Sequence, residues 1–126
     1  MNLLYNSFML GIDIENISRF ENKDRICNKK FLERIFTLSE LDYCYSKKNY
    51  AAHLCARFCA KEAVIKALSY LGIKHSKFND IEIFHGKYNE PHVRIINKTD
   101  KLKRLKISIS LSHNKTNAVA VAMINE

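Results

Sequence analysis

Hydrophobic and polar positions alternate with two different periods along this chain, and each change of period marks an element. From Phe8 to Ile14 the period is two, with Phe8, Leu10, Ile12 and Ile14 on one face and Met9, Gly11 and Asp13 on the other. This is the pattern of a half-buried strand, and Asp13 points away from its fully apolar face. Read alone, Asp13 is a solvated strand residue. Gly11, two residues earlier on the same face, removes a side chain and lets a neighbour approach the backbone closely. Ser18 with Glu21 has the spacing of a capping box and predicts a helix carrying Arg19 and Phe20, followed by the basic run Lys23, Arg25, Lys29, Lys30 and Arg34. Phe31 to Phe36 continues as helix. Thr37 with Glu40 offers a second capping box, opening a short helix through about Tyr45, and Ser46 to Asn49 is a polar break.

The strongest helical signal runs from Ala51 to Leu71, where Leu54, Phe58, Ile65, Leu68 and Leu71 recur at helical spacing and neither Gly nor Pro intervenes before Gly72. Steps of three and four residues lead from Cys55 through Cys59 to Glu62 and Lys66, so a carboxylate sits beside the apolar stripe. Arg57 and Lys61 form a cationic pair one turn apart. Glu62 has two readings: a surface ion pair with Lys66, or a partly buried carboxylate kept because it holds a cation. The helix by itself does not choose between them.

Beyond Gly72 a loop runs to Asn79, then a strand covers Ile81 to Phe84, a turn Gly86 to Asn89, and a strand opened by Pro91 covers His92 to Ile96. A polar, charged connection, Asn97 to Arg104, leads to the last hairpin. There Ile107, Ile109 and Leu111 alternate with Ser108, Ser110 and Ser112, and after the turn His113 to Asn117 comes the strand Ala118 to Ile124. His113 reads either as an exposed turn residue or, with the serines, as part of a donor-rich surface suited to phosphate oxygens.

Composition narrows the class. The 126 residues suit one domain, 1–126, with a core of its own. With 47% hydrophobic residues, three Gly and one Pro, the chain is neither linker, collagen nor disordered tail. Lys and Arg outnumber Asp and Glu by 21 to 13, a net charge of +8, which favours anionic partners without choosing among them. Cys27, Cys44, Cys55 and Cys59 contain no CxxC spacing, which fits a reducing compartment; a metal site on His53, Cys55 and Cys59 would lack a second zinc-like ligand pair. No apolar run spans a bilayer and the N-terminus does not read as a signal peptide, so a cytoplasmic protein with no membrane partner is expected. No P-loop or GxGxxG is present.

Three stretches together carry a family likeness. GIDIENISRF (Gly11 to Phe20), ARFCAKEAVIKAL (Ala56 to Leu68) and SISLSHNKTNAVAVAMI (Ser108 to Ile124) resemble the three signature blocks of the holo-acyl-carrier-protein synthases, the small class of 4'-phosphopantetheinyl transferases. With FLERIFTLSE between them the resemblance covers nearly the whole chain. It implies transfer of the phosphopantetheine arm of coenzyme A to a serine of apo acyl carrier protein, with release of adenosine 3',5'-bisphosphate. By the same resemblance Asp13 and Glu62 hold Mg2+ against the pyrophosphate, a donor set suited to magnesium. Lys66 would contact the attacked or leaving phosphate, and Arg57, Lys61, Ser112 and His113 the nucleotide. The serine proton would go to a metal-bound water, Glu62 or Asp13. The family is a homotrimer with active sites between subunits, and carrier proteins are acidic, so Arg19 and then Arg25 are the expected docking residues. Where the family has Gly-Lys-Pro this chain has Asn89, Glu90 and Pro91, and SLSH replaces SISH.

The implied architecture is α+β, a long central helix packed on an antiparallel sheet built from the Asp13 strand and two hairpins. Two other classes stand beside the enzyme: a basic nucleic-acid-binding module, whose cations would share one face, and a non-catalytic scaffold for coenzyme A or carrier protein, which would not need both carboxylates.

Overall fold

Alanine and other small residues let one helix become the centre of the molecule. Helix α3, Tyr50–Leu68, buries thirteen of its residues, from Ala52 to Leu68, including Leu54, Phe58, Val64 and four further alanines after Ala52. It continues as a 3-10 turn, Ser69–Leu71, and stops where Gly72 takes φ 73°. The structure is a computed structural model and describes residues 8–73, 77–96 and 99–125. Parts of the expected Gly72–Asn79 loop and of the Asn97–Arg104 connection lie outside them.

Strands β1 (Phe8–Asn16), β4 (Lys106–His113) and β5 (Asn117–Asn125) form an antiparallel sheet in the order β1-β5-β4, and α3 lies across it. The second hairpin, β2 (Ile81–His85) with β3 (Pro91–Ile95), is a separate two-stranded sheet, so the expected single sheet is divided. Two short helices, α1 (Lys29–Ile35) and α2 (Leu38–Tyr45), and a four-residue helix α4 (Asp100–Lys103) complete the fold. The Thr37–Glu40 capping box forms as expected, with Thr37 Oγ1 accepting from Glu40 N and Glu40 Oε1 accepting from Thr37 N. The Ser18–Glu21 box does not. Ile17–Phe20 is one 3-10 turn preceded by Asn16, whose side chain makes no cap bond, with Ser18 inside the turn, Glu21 already extended, and Ile17 and Phe20 buried in the core.

The faces of β1 are the reverse of what its alternation ordinarily means. Met9 and Gly11 are buried and Asp13 is half-buried against α3, whereas Leu10, Ile12 and Ile14 are 57%, 62% and 66% exposed. Gly11 accounts for the inversion. A Cβ there would overlap the Ala63 carbonyl and lie 2.9 Å from Ala67 N, so the missing side chain is what seats β1 on the backbone of α3. Among the described residues no helix is long and apolar enough to cross a membrane.

Candidate active site

The close seating at Gly11 brings the next inward residue, Asp13, onto the face of α3 that carries Glu62 and Lys66. Lys66 Nζ donates to Ile12 O at 2.9 Å and to Asp13 Oδ1 at 3.2 Å. Among the described residues no ion pair joins Lys66 to Glu62, so the surface-pair reading of Glu62 fails. Burial holds the Glu62 carboxyl above its ordinary pKa, the negative charge of Asp13 adds to this, and Lys66 and Arg19 oppose it. Glu62 also lines an open cleft of about 560 Å³ with Arg34, Ile65, Lys77, Phe78 and Asn79. Asp13 and Glu62 thus form an acidic pair with one attendant cation, and the described residues offer no third His, Cys, Asp or Glu to complete an all-protein metal cage. The neighbouring thiols are small core groups: Cys55 Sγ donates to Glu15 O at 3.6 Å and Cys59 Sγ to Ala118 O at 3.5 Å.

Arg57 and Lys61 are not the exposed cationic pair that their spacing implies. Lys61 is completely buried, and its ammonium donates to Ile35 O at 2.7 Å, Glu40 Oε1 at 2.6 Å and Phe78 O at 3.0 Å. All three of its protons are committed, which leaves none for a nucleotide phosphate and corrects that expectation. Burial lowers its pKa and the Glu40 carboxylate opposes that shift. Glu40 Oε2 in turn accepts from Ile83 N at 2.8 Å, so one capping residue ties α2, α3 and β2 together. Arg57 is 2% exposed; its Nη2 donates to His85 Nδ1 at 3.1 Å and its guanidinium lies 4.3 Å above the Tyr43 ring. Its Nε has no partner among the described residues.

His113, at the end of β4, faces His53 of α3 with ring centroids 6.4 Å apart, and it lines a cleft of about 580 Å³ with Ile17, Glu21, Asn49, Ala51, Ala52, Asn114 and Lys115. Ser112 does not join it. Ser108, Ser110 and Ser112 are paired with Met123, Val121 and Val119 on the side of the sheet turned away from α3, the side that also carries Leu10, Ile12 and Ile14. The expected serine and histidine surface is therefore split between two faces of β4. Arg19 pairs with Glu15 at 2.7 Å and stacks 4.6 Å from the Phe58 ring, and Arg25 pairs with Asp42 at 2.6 Å. Both guanidinium groups stay partly exposed.

Sequence reasoning passed over Tyr43 and His85. Tyr43 stacks on His85 at 5.2 Å and meets His53 edge-on at 5.7 Å, all of them around Arg57. No local pattern announces them, since Tyr43, His53 and His85 come from α2, α3 and β2 and meet only in the fold.

Comparison with known proteins places these features in context. Residues 9–123 match the family model described as the 4'-phosphopantetheinyl transferase superfamily. Holo-[acyl-carrier-protein] synthase of Ruminiclostridium cellulolyticum is 40% identical over 123 residues, spanning 93% of this chain and 91% of that protein. The enzyme of that name from Clostridium tetani is 38% identical over 120 residues, spanning 91% and 93%. Among solved structures, Helicobacter pylori holo-[acyl-carrier-protein] synthase in complex with coenzyme A superposes with a TM-score of 0.77 at 33% identity, covering 92% of this chain and 99% of that one. The Bacillus anthracis synthase in complex with CoA (3',5'-ADP) gives 0.73 at 30% identity, covering 94% and 96%.

Proposed function

The chain belongs to the 4'-phosphopantetheinyl transferase superfamily, and on that premise we propose that Asp13 and Glu62 form the reacting centre of a holo-acyl-carrier-protein synthase. The protein transfers the 4'-phosphopantetheine arm of coenzyme A to a serine of apo acyl carrier protein, in line with relatives of that name and structural neighbours that hold coenzyme A. The serine oxygen gains a bond to phosphorus, the pyrophosphate bridge breaks, and adenosine 3',5'-bisphosphate leaves.

The observation that carries the residue assignment is the part-buried Glu62 carboxyl beside Asp13: burial first, and the Asp13 charge second, raise the Glu62 pKa, and a cation held between the two would offset both. Two carboxylates and no further protein ligand among the described residues suit Mg2+, which keeps coordination sites for water and phosphate oxygens. Magnesium held there would neutralise charge on the pyrophosphate and polarise the attacked phosphorus. Lys66, anchored by Ile12 O and Asp13, keeps an exposed ammonium whose remaining proton can meet a phosphate oxygen. Arg57 in the N-terminal half of α3 and His113 beside His53 are placed on the nucleotide phosphates, and Lys61, with its protons committed, is not.

The protein is proposed to act as a homotrimer, a reading that the outer face of the sheet supports. Phe8, Leu10, Ile12 and Ile14 continue across β5 into Val121 and Met123, an exposed apolar band that a monomer would leave in water. Packing against further copies would bury it and set Ser112 of each chain at a subunit boundary. Arg19 and Arg25, held by Glu15 and Asp42, offer the acidic carrier a fixed pair of cations.

The test is chromatographic: release of adenosine 3',5'-bisphosphate from coenzyme A, with apo carrier present or omitted, with Mg2+ or chelator. Release only when carrier and metal are both present supports the assignment. Carrier-dependent release that persists in chelator removes the metal, and no release with any carrier removes the reaction.

A further inference from the structure

The cations at the nucleotide end of α3 are held by groups that titrate. An arginine can only donate, so the 3.1 Å bond from Arg57 Nη2 to His85 Nδ1 requires a neutral His85 with its own proton on Nε2. If Nδ1 takes up a proton it stops accepting, and the Arg57 Nη2–H is released. That donor then joins the buried Nε, which already lacks a partner among the described residues. A buried donor without a partner on a residue 2% exposed calls for an acceptor, which a ligand or a water from outside the chain would supply.

The surroundings reinforce this. Tyr43 is flanked by the Arg57 guanidinium at 4.3 Å, His85 at 5.2 Å, Lys47 Nζ at 4.9 Å and His53 at 5.7 Å, with His113 beyond His53. His53 feels positive charge from Arg57, Lys47, His113 and His85, and no anion is among its causes. His85 faces Arg57, Lys47 and His92, with Glu90 as the sole opposing charge. Burial first, and these cations second, keep both imidazoles below the ordinary histidine pKa.

We propose that His85, assisted by His53, is a proton-operated latch on Arg57, so that arrival of a phosphomonoester draws protons onto these histidines and turns Arg57 toward the ligand. This rests on the reading of Arg57 and His113 as nucleotide phosphate contacts and adds to it Tyr43, His53 and His85, together with a direction of pH dependence. An anion removes the repulsion that keeps the imidazoles neutral, so the bound state takes up protons and affinity strengthens as pH falls. The phosphate itself pulls the other way, because its second pKa lies near about 6 and the dianion binds cationic sites better.

The probe is adenosine 3',5'-bisphosphate, titrated calorimetrically into the intact protein at about pH 8 and about pH 6, in two buffers of different ionisation enthalpy. His85→Gln is the diagnostic variant, because its amide oxygen still accepts from Arg57 but takes up no proton; His53→Gln tests the assisting group. Wild type should take up more protons on binding than His85→Gln does. Its ratio of affinity at the lower to the higher pH should exceed that of His85→Gln by about tenfold, the linkage expected for roughly half a proton per pH unit over two units. Proton uptake and pH ratio that are the same in wild type and His85→Gln overturn the latch and leave the nucleotide site standing. If wild type binds no nucleotide at either pH, the site reading fails and the latch fails with it. The His85 imidazole followed by NMR in wild type alone keeps the test independent of either variant folding: it should be neutral in the free protein and protonated with nucleotide bound at about pH 6, and a ring neutral in both states overturns the latch.

Discussion

Glu62 carries a charge that its surroundings resist: burial and the Asp13 carboxylate hold its pKa above the ordinary value, against Lys66 and Arg19. Removing that charge should relieve the fold while destroying the site. Glu62→Gln is therefore expected to raise the melting temperature of metal-free protein by about 2 °C, the scale of one relieved partly exposed charge pair, and to abolish transfer; a lower melting point would contradict the crowding. Lys61 is the opposite case. Lys61→Met leaves the Glu40 carboxylate buried without its partner and should cost about 3–5 kcal/mol in denaturant unfolding. By the family resemblance Lys61 and Lys66 are both expected to meet phosphate; spacing along α3 says which residues share a face and not what covers that face. The three acceptors around Lys61 come from α1, the Phe78 turn and Glu40, and no pattern within α3 encodes them.

At the scale of elements, the seating of β1 on α3 decides where Asp13 stands. Gly11→Ala must push the strand off Ala63 and Ala67, so it should destabilise the protein by about 3 kcal/mol or more and lower kcat through displacement of Asp13, read against Gly11→Ala secondary structure by circular dichroism. The need for a side-chain-free position there was legible in the sequence. Which face of β1 meets the core was not, since alternation fixes two faces and leaves their assignment to whatever packs on each. The histidine cluster joining α2, α3 and β2 gives a second test. His53 and His85 have lowered pKa values in the fold, so the unfolded chain binds more protons just below the ordinary pKa of 6.5. Stability should thus fall as pH drops from about 7 through that value and on toward the lowered pKa values; a melting temperature that rises over the same interval in ligand-free protein would contradict it.

For the whole molecule, the apolar band on the outer sheet face is the feature that a single chain leaves unexplained. Ile12→Asp should convert the proposed trimer into monomers in light scattering and remove activity, because Ile12 is 62% exposed and its loss costs the isolated fold little. Association with an acidic carrier should weaken several-fold in KM as salt rises from about 0.05 to 0.3 M, over which screening shortens to within contact distances. The central helix and the hairpins of the α+β class could be read from the chain because each rests on a local period, and the three signature blocks because they resemble those of a known family. The division into two sheets and the burial of Arg57 arise from long-range packing and could not. The central claim, that Asp13 and Glu62 together serve transfer of the phosphopantetheine arm, is tested most directly by the intact mass of apo acyl carrier protein after incubation with coenzyme A, Mg2+ and wild type, Asp13→Ala or Glu62→Ala. The account predicts a carrier heavier by one phosphopantetheine arm with wild type and an unchanged carrier with either folded variant; a carrier fully modified by both variants would contradict it.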